Sequence, residues 1–278
     1  METQLGNKKE EYVNPPMNYT GSKFKLLEQI LPEFDYTKPY FVDLFMGGGS
    51  VYTNVVDKYE KILANDIIKD LVGIHQDLLN GDDVIDLTKS ICPDKTDAES
   101  FGRLRDDYNL NPSSDKLWAL MLSCTSNMMR FNQKFKFNQT FGKRTWNSST
   151  QKKVELFTEH IRQYKDKIRF TSDTFNNVNI SSNKVMVYAD PPYSNTEAGY
   201  NAYWKKDDDD KLYNYLLDID RKGSSFMISG VLNHNGETCK LLSNLISDKF
   251  NHKILKFDYN KVSRVGKKET DEVIIMNY

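Results

Sequence analysis

The stretch VMVYADPPYSN, residues 185–195, joins an apolar run to a carboxylate, two prolines and an aromatic ring. The apolar run predicts a buried strand, so that Asp190 lies at the strand's end. Two prolines stiffen the loop and leave two carbonyl oxygens without a local N–H donor. A carboxylate, a fixed carbonyl and a flat ring suit a planar heterocycle with an exocyclic amine, because the amine offers two N–H donors. A rigid turn without a ligand is the alternative, and the position at a strand end favours function.

A second candidate site is the glycine-rich turn DLFMGGGS, residues 43–50, which follows the predicted strand PYFVDLF. Its glycines allow the backbone to approach a ligand closely. The dinucleotide fingerprint G-x-G-x-x-G needs a third glycine where this chain has Tyr52, which argues against a nicotinamide oxidoreductase. Asp66 ends the next predicted strand, KILAND, where an acid can accept hydrogen bonds from both ribose hydroxyls. An adenosyl ligand without pyrophosphate fits best, a plain tight turn being the alternative.

The segment YTGSK, residues 19–23, places Lys23 after a glycine turn and at the start of a predicted helix, KFKLLEQILPEF, that should end at Pro32. The ammonium group could contact a ligand carboxylate or a phosphate. Taken alone, a solvated surface lysine is the simpler interpretation.

The elements that must position these residues alternate as strand and helix, which predicts an α/β protein with a mostly parallel sheet. From about Leu78 to Ile168 the pattern is mainly helical and encloses RFNQKFKFNQTFGKR, for which we expect a hairpin with a turn at Gln133-Lys134. The alternation resumes afterwards and closes on the strand DEVIIMN. We therefore expect one domain made of residues 1–77 and 168–278, with residues 78–167 inserted into it.

The 278-residue chain has a net charge of −1, but its charges are unevenly distributed. Residues 60–117 carry 13 acids and 7 bases, whereas residues 130–169 carry 11 bases and 3 acids, a net charge of +8. The basic segment predicts a surface for nucleic acid, with a solvated helix face as the alternative. Scattered cysteines and short apolar runs predict neither a metal cluster nor a membrane span. Without a secretory signal, we expect a cytoplasmic, metal-free protein that is not secreted.

In this order, the motifs resemble the Dam type of DNA adenine-N6 methyltransferases, phage and bacterial enzymes that use S-adenosylmethionine. The resemblance extends from about Asn18 to Asn277 and rests on YTGSK, DLFMGGGS, ANDI, SNMMRFNQKFKFNQTFGKR, ADPPY and TDEVIIMN. It implies a Rossmann-like class I S-adenosylmethionine-dependent methyltransferase sheet of seven strands, one antiparallel. The same resemblance makes residues 78–167 a helical and hairpin target-recognition insert.

The resemblance also assigns roles to individual residues. The catalytic loop would consist of Asp190, Pro191, Pro192 and Tyr193. The cofactor would be bound by Tyr19, Gly21, Lys23, Asp43, Phe45, Gly47, Gly49, Ser50, Asp66, Phe175 and Asp190. The residues that bind DNA would be Asn127, Met128, Arg130, Asn132, Lys134, Lys143 and Arg144.

The predicted function is site-specific methylation of N6 of a flipped adenine in a short duplex site, with S-adenosylhomocysteine as the product and without a metal. GATC is one candidate site, but GATC enzymes usually have Pro-Phe-Gly where this chain has Thr140-Phe141-Gly142. Double-stranded DNA is the expected partner, and no membrane partner is expected. The protein should be a monomer or a weak dimer. Whether a restriction endonuclease counterpart exists cannot be read from the sequence. Alternatives are an N4-cytosine or RNA-base amino-methyltransferase and a catalytically silent DNA-binding protein.

Overall fold

The computed structural model describes residues 12–81, 83–192, 204–205, 207–234, 236–256 and 270–278. Tyr193 of the predicted catalytic loop lies outside these residues. The strands are β1 Tyr40–Asp43, β2 Lys61–Asn65, β3 Ile168–Thr171, β4 Val185–Ala189, β5 Ser225–His234, β6 Glu237–Thr238, β7 Asn251–Leu255 and β8 Thr270–Met276. The α-helices are α1 Leu27–Ile30, α2 Ser50–Val55, α3 Lys69–Asn80, α4 Val84–Ile91, α5 Ala98–Leu110, α6 Ser114–Ser123, α7 Ser148–Arg162, α8 Asp208–Arg221 and α9 Lys240–Ser247.

The strands form one sheet in the order β3-β2-β1-β4-β5-β8-β7, with the two-residue β6 beside β5. The pairs from β3 to β5 are parallel, and β8 is antiparallel to both of its neighbours. The predicted mostly parallel sheet with one antiparallel strand is therefore confirmed. The strand order changes direction between β1 and β4, which is where open α/β sheets bind their ligands.

Hydrophobic side chains cover both faces of the sheet, as a parallel sheet requires. Every residue of β4 is buried, and successive residues point to opposite faces, with Val187 in one hydrophobic cluster and Tyr188 in the other. Helices α8 and α9 cover the face of Val187. Because β4 is buried throughout, Asp190 emerges from the core at the sheet's carboxyl edge.

In its described residues, the connection from β2 to β3 contains five α-helices, α3 to α7. Trp118 of α6 and Phe157 of α7 are fully buried and belong to the same hydrophobic cluster as Ile62 of β2 and Phe170 of β3. These helices therefore share their core with the sheet. The boundaries 78 and 167 remain a prediction.

Two local expectations differ from the structure. The first helix is short, because 3-10 turns at Lys23–Leu26 and Leu31–Glu33, the latter containing Pro32, flank the four residues of α1. The hairpin consists of isolated bridges, Phe131 to Phe137 among them, rather than strands. Its turn is wider than a two-residue turn, because Asn132 Oδ1 accepts hydrogen bonds from the N–H groups of residues 134 and 136. No helix of the described part is both long and apolar enough to cross a membrane.

Candidate active site

A cavity lies beyond the carboxyl ends of β1, β2 and β4, at the switch point of the sheet. Asp43, Asp66 and Asp190, one from each strand end, line it together with Pro191. The cavity holds about 90 Å³ and the groove beside it about 400 Å³, and together they reach the range of roughly 300–1,000 Å³ found for ligand pockets. The two share three lining residues, Phe45, Ile67 and Pro192.

Both oxygens of the Asp190 carboxylate accept hydrogen bonds from inside the protein. Lys23 Nζ lies 2.7 Å from Oδ2, and Ser229 Oγ of β5 lies 2.9 Å from Oδ1. Because Ser229 uses its hydrogen on Asp190, the Tyr188 hydroxyl, 2.7 Å away, donates to Ser229. The carboxylate is thus held in one orientation while its side chain remains 18% exposed.

Lys23 is buried, which excludes the simpler interpretation of a solvated lysine. Its ammonium also lies 3.1 Å from the Gly21 carbonyl oxygen and 3.5 Å from the buried carboxylate of Glu272. Burial lowers the pKa of Lys23, but the charges of Asp190 and Glu272 outweigh this and raise the pKa above its ordinary value. Lys23 is therefore a permanent cation beside Asp190.

Asp43 is almost fully buried, and within the described residues its Oδ1 has no hydrogen-bond partner. Burial, together with the negative charge of Asp190, raises the pKa of Asp43 to about 8. A buried oxygen without a partner is costly unless a ligand satisfies it. Asp43 therefore suits a ligand group that is cationic or donates hydrogen bonds.

Asp66 fixes the glycine loop after β1. Its two oxygens accept hydrogen bonds from the N–H groups of Gly47 and Ile68, both at 3.0 Å. Burial raises the pKa of Asp66 to about 6, although these hydrogen bonds oppose the rise. Tyr19 covers the loop so closely that a Cβ on Gly47 would lie 2.8 Å from its ring. The glycine at position 47 is therefore a steric requirement.

Two buried side chains that do not line the cavity, Tyr52 and His75, also contact this loop. A Cβ on Gly49 would lie within 2.8 Å of both rings, and Gly49 has a φ of +86°. Burial lowers the pKa of His75 to about 4, so its imidazole is neutral at physiological pH.

All but one of the residues predicted to bind the cofactor line the cavity or the groove; the exception is Gly49, which packs on Tyr52 and His75. Ser50 lines the cavity, and its hydroxyl lies 2.7 Å from that of Ser22. In the groove, the rings of Phe45, Phe175 and Trp204 lie 5.6–5.8 Å apart. Three flat rings in one groove suit a flat ligand.

Sequence reasoning missed several residues of the site. Ser229 and Glu272 each interrupt an apolar strand with a polar side chain, which was the available signal. Trp204 and His75 belong to no motif, and only the fold brings them near the glycine loop.

A separate cleft of about 540 Å³, which we call the basic cleft, lies at the N-terminus of α7. Among the described residues that line it, none is an acid and four are bases: Lys95, Lys143, Arg144 and Lys153. Arg144 donates a hydrogen bond to Oδ1 of Asn127, which also lines the cleft, and the Asn127 amide nitrogen donates to the carbonyls of residues 121 and 122. The guanidinium group is thereby positioned at the cleft wall.

The other residues predicted to bind DNA do not line the basic cleft. Met128, Arg130 and Lys134 are exposed on the segment before and within the 132–136 turn, and Asn132 uses its side-chain oxygen to form that turn. A Cβ on Gly142 would lie 2.2 Å from the Cys124 carbonyl oxygen, so the glycine of FGKR is required for loop packing.

The strand order, the glycine loop after β1 and the acid after β2 define a Rossmann-like α/β protein with a ligand cavity at the switch point of its sheet. A sequence profile described as D12 class N6 adenine-specific DNA methyltransferase matches residues 19–263. The chain belongs to this family, and the predicted resemblance is confirmed.

The relatives include modification methylases. Modification methylase StsI of Streptococcus sanguinis is 32% identical over 96% of this chain and 43% of its own length. Type II methyltransferase M.FokI of Planomicrobium okeanokoites is 31% identical over 98% of this chain and 44% of its own length. Modification methylase LlaI of Lactococcus lactis subsp. lactis is 29% identical over 95% of this chain and 43% of its own length. The chain thus spans less than half the length of these relatives.

Proposed function

We propose that this chain transfers a methyl group from S-adenosylmethionine to N6 of an adenine in duplex DNA, with S-adenosylhomocysteine as the product. The observation that carries the proposal is the position of Asp190. Its carboxylate is held by two hydrogen bonds at the rim of the cavity that also contains the glycine loop and Asp66. Family membership supports the same reaction.

The residues of the cavity and groove fit the cofactor. S-adenosylmethionine, when bound, supplies an electrophilic methyl group on a positively charged sulfur. The Asp43 oxygen that has no partner among the described residues would lie against the cationic part of the cofactor, and Asp66 would accept hydrogen bonds from the ribose hydroxyls. The groove lined by Phe45, Phe175 and Trp204 would hold the adenine ring.

Asp190 and Pro191 would bind the target amine. The N6 of adenine is a poor nucleophile because its lone pair is delocalised into the ring. Hydrogen bonds from its two N–H groups to the Asp190 carboxylate and the Pro191 carbonyl would localise that lone pair. Lys23 and Ser229 contribute by keeping the acceptor oriented before the substrate arrives, which avoids reorganisation during the reaction.

The adenine must leave the duplex to reach Asp190, because N6 is enclosed in the base stack, and flipping costs a few kcal/mol. Stacking on an aromatic ring recovers roughly 1–3 kcal/mol. Tyr193, which follows Pro192 in the sequence, is the proposed stacking partner.

The basic cleft supports DNA as the substrate. The four bases that line it would attract the phosphate backbone, and the N–H groups at the start of α7 add a favourable dipole. Residues 78–167 would then form the target-recognition part. Asn132 would shape the turn, and the residues that face the duplex would be Asn127, Met128, Arg130, Lys134, Lys143 and Arg144.

We propose a modification role beside a restriction enzyme, since the relatives are named modification methylases. The recognition site stays open, with GATC one candidate.

Tritium transfer from labelled S-adenosylmethionine tests the reaction. Duplex DNA should be labelled and RNA of the same sequence should not, and long-read sequencing of the product should report N6-methyladenine in one short context. Asp190→Ala should abolish labelling while DNA binding persists, whereas Asp218→Asn, at an exposed carboxylate of α8, should have no effect. Labelling of RNA or of cytosine would support the alternative amino-methyltransferases, and DNA binding without any cofactor binding would support a silent DNA-binding protein.

A further inference from the structure

Two fully buried side chains, Tyr52 of α2 and His75 of α3, hold the glycine loop. The Tyr52 hydroxyl lies 2.8 Å from His75 Nδ1, and His75 Nε2 lies 3.1 Å from the carbonyl oxygen of Gly47. A carbonyl oxygen only accepts hydrogen bonds, so Nε2 carries the proton and Nδ1 is the acceptor. Tyr52 must therefore donate to His75, and His75 must donate to Gly47.

The same glycine continues the chain of hydrogen bonds to Asp66. The N–H group of Gly47 donates to Asp66 Oδ2 at 3.0 Å, while Oδ1 accepts from the N–H of Ile68. Gly47 is thus held at its carbonyl by His75 and at its N–H by Asp66, in a left-handed conformation with a φ of +48°. The position of this one residue links the glycine loop to the carboxylate proposed to bind ribose.

Aromatic rings fix the imidazole of His75 in place. Its centroid lies 5.6 Å from that of Tyr52, 5.8 Å from that of Phe170 and 6.0 Å from that of Phe157. Gly49 packs against both Tyr52 and His75. A ring packed on these sides cannot turn away from Gly47 without moving the loop.

We propose that His75, oriented by Tyr52, is a positioning residue that sets the cofactor-binding conformation of the Gly47 loop. The inference rests on the proposed use of S-adenosylmethionine. It goes beyond packing, because a buried histidine needed only to fill space would not have to donate to the loop.

Three variants and calorimetric titration with S-adenosylmethionine test this role. His75→Leu replaces the imidazole with an apolar side chain of similar size and leaves the Gly47 carbonyl without its donor. The Kd of this variant for S-adenosylmethionine should rise about tenfold. His75→Gln can still donate from its amide and should recover most of the affinity. Tyr52→Phe removes only the hydroxyl and should raise Kd by about threefold.

His160→Leu is the matched control, because His160 Nε2 bonds the Thr53 carbonyl of α2 at 2.9 Å without touching the loop. It should lower Tm while leaving the cofactor Kd within about twofold of the wild type. The Kd for duplex DNA should be unchanged in every variant. Equal losses of cofactor affinity in His75→Leu and His160→Leu, or wild-type affinity in a folded His75→Leu, would overturn the proposal.

Imidazole ¹⁵N chemical shifts give a second readout that does not depend on the reaction. His75 should show a protonated Nε2 and an unprotonated Nδ1 at pH 7, and Tyr52→Phe should shift the Nδ1 signal. The opposite tautomer would exclude donation from His75 Nε2 to the Gly47 carbonyl oxygen. If wild-type protein does not bind S-adenosylmethionine at all, the proposed function fails and this inference with it; if wild type binds and His75→Leu binds equally, only the inference fails.

Discussion

Lys23 and Asp190 are 167 residues apart in the sequence, yet their side chains form an ion pair of 2.7 Å at the edge of the sheet. The lysine comes from the first helical turn and the aspartate from the end of β4. Their contact joins the start of the chain to the proposed catalytic loop.

Lys23→Met should both destabilise the protein and reduce methyl transfer. Removing one partner of a buried pair costs about 3–5 kcal/mol, and two carboxylates, Asp190 and Glu272, would then lack their cation. Thermal unfolding and single-turnover methylation measure the two effects. Lys25→Met, at an exposed lysine of the same turn, should change neither; a Lys23 variant with wild-type turnover would remove the pair from the mechanism.

Ser229→Ala should lower kcat about tenfold and leave the Kd for S-adenosylmethionine unchanged, because a hydrogen bond to a charged group contributes roughly 1.5–3 kcal/mol. Ser225 of the same strand provides the control, since its hydroxyl bonds the carboxylate of Asp35, which does not line the cavity. Ser225→Ala should cost stability but not kcat. Similar kcat values for the two variants would show that Ser229 does not orient Asp190.

Cofactor binding should release a proton near pH 7. Burial raises the pKa of Asp43 to about 8, so the free protein is largely protonated there, and a cationic ligand would require the anion. Affinity should therefore increase as the pH rises from about 6 to 8. Calorimetry at pH 7 in two buffers of different ionisation enthalpy measures the released proton, and Asp43→Asn should release none from this position.

The contribution of Asp43 to the stability of the free protein should decrease as the pH rises, whereas cofactor affinity should increase. Between about pH 4 and 8 the folded state keeps the proton on Asp43 while the unfolded state loses it, so this group's contribution to stability falls as pH rises. Asp43→Asn removes the effect. The Tm of the variant minus that of the wild type should therefore increase across this range, and a constant difference would contradict the raised pKa.

Lys153→Ala should weaken binding to cognate and non-cognate DNA equally and reduce the slope of log Kd against log salt by about 0.9. Arg144→Ala should instead reduce discrimination between sites, because an arginine bound to a guanine edge contributes about 1–3 kcal/mol. Lys165→Ala is the control, since this exposed lysine lies between α7 and β3 and does not line the basic cleft. Identical profiles for Lys153→Ala and Lys165→Ala would argue against phosphate binding in the basic cleft.

The sequence predicted those parts of the site that lie within contiguous motifs. Buried parallel strands appear as apolar runs, so the positions of Asp43, Asp66 and Asp190 at strand ends could be read directly. The pairing of Lys23 with Asp190 could not, because it depends on where the chain's first turn packs. Ser229 reaches Asp190 only through the register of β5 beside β4, in which Ala189 pairs with Ile228.

Two side chains from the helices between β2 and β3, Trp118 and Phe157, pack into the same hydrophobic cluster as the sheet. Excising or transplanting residues 78–167 as a module would expose this apolar surface in both halves. Chimeras built at those boundaries should aggregate, whereas exchanges confined to the exposed side chains of residues 125–144, which leave the buried Phe131 and Phe137 in place, should remain soluble. Engineering a new target site in this protein is therefore a matter of loop redesign on an intact scaffold.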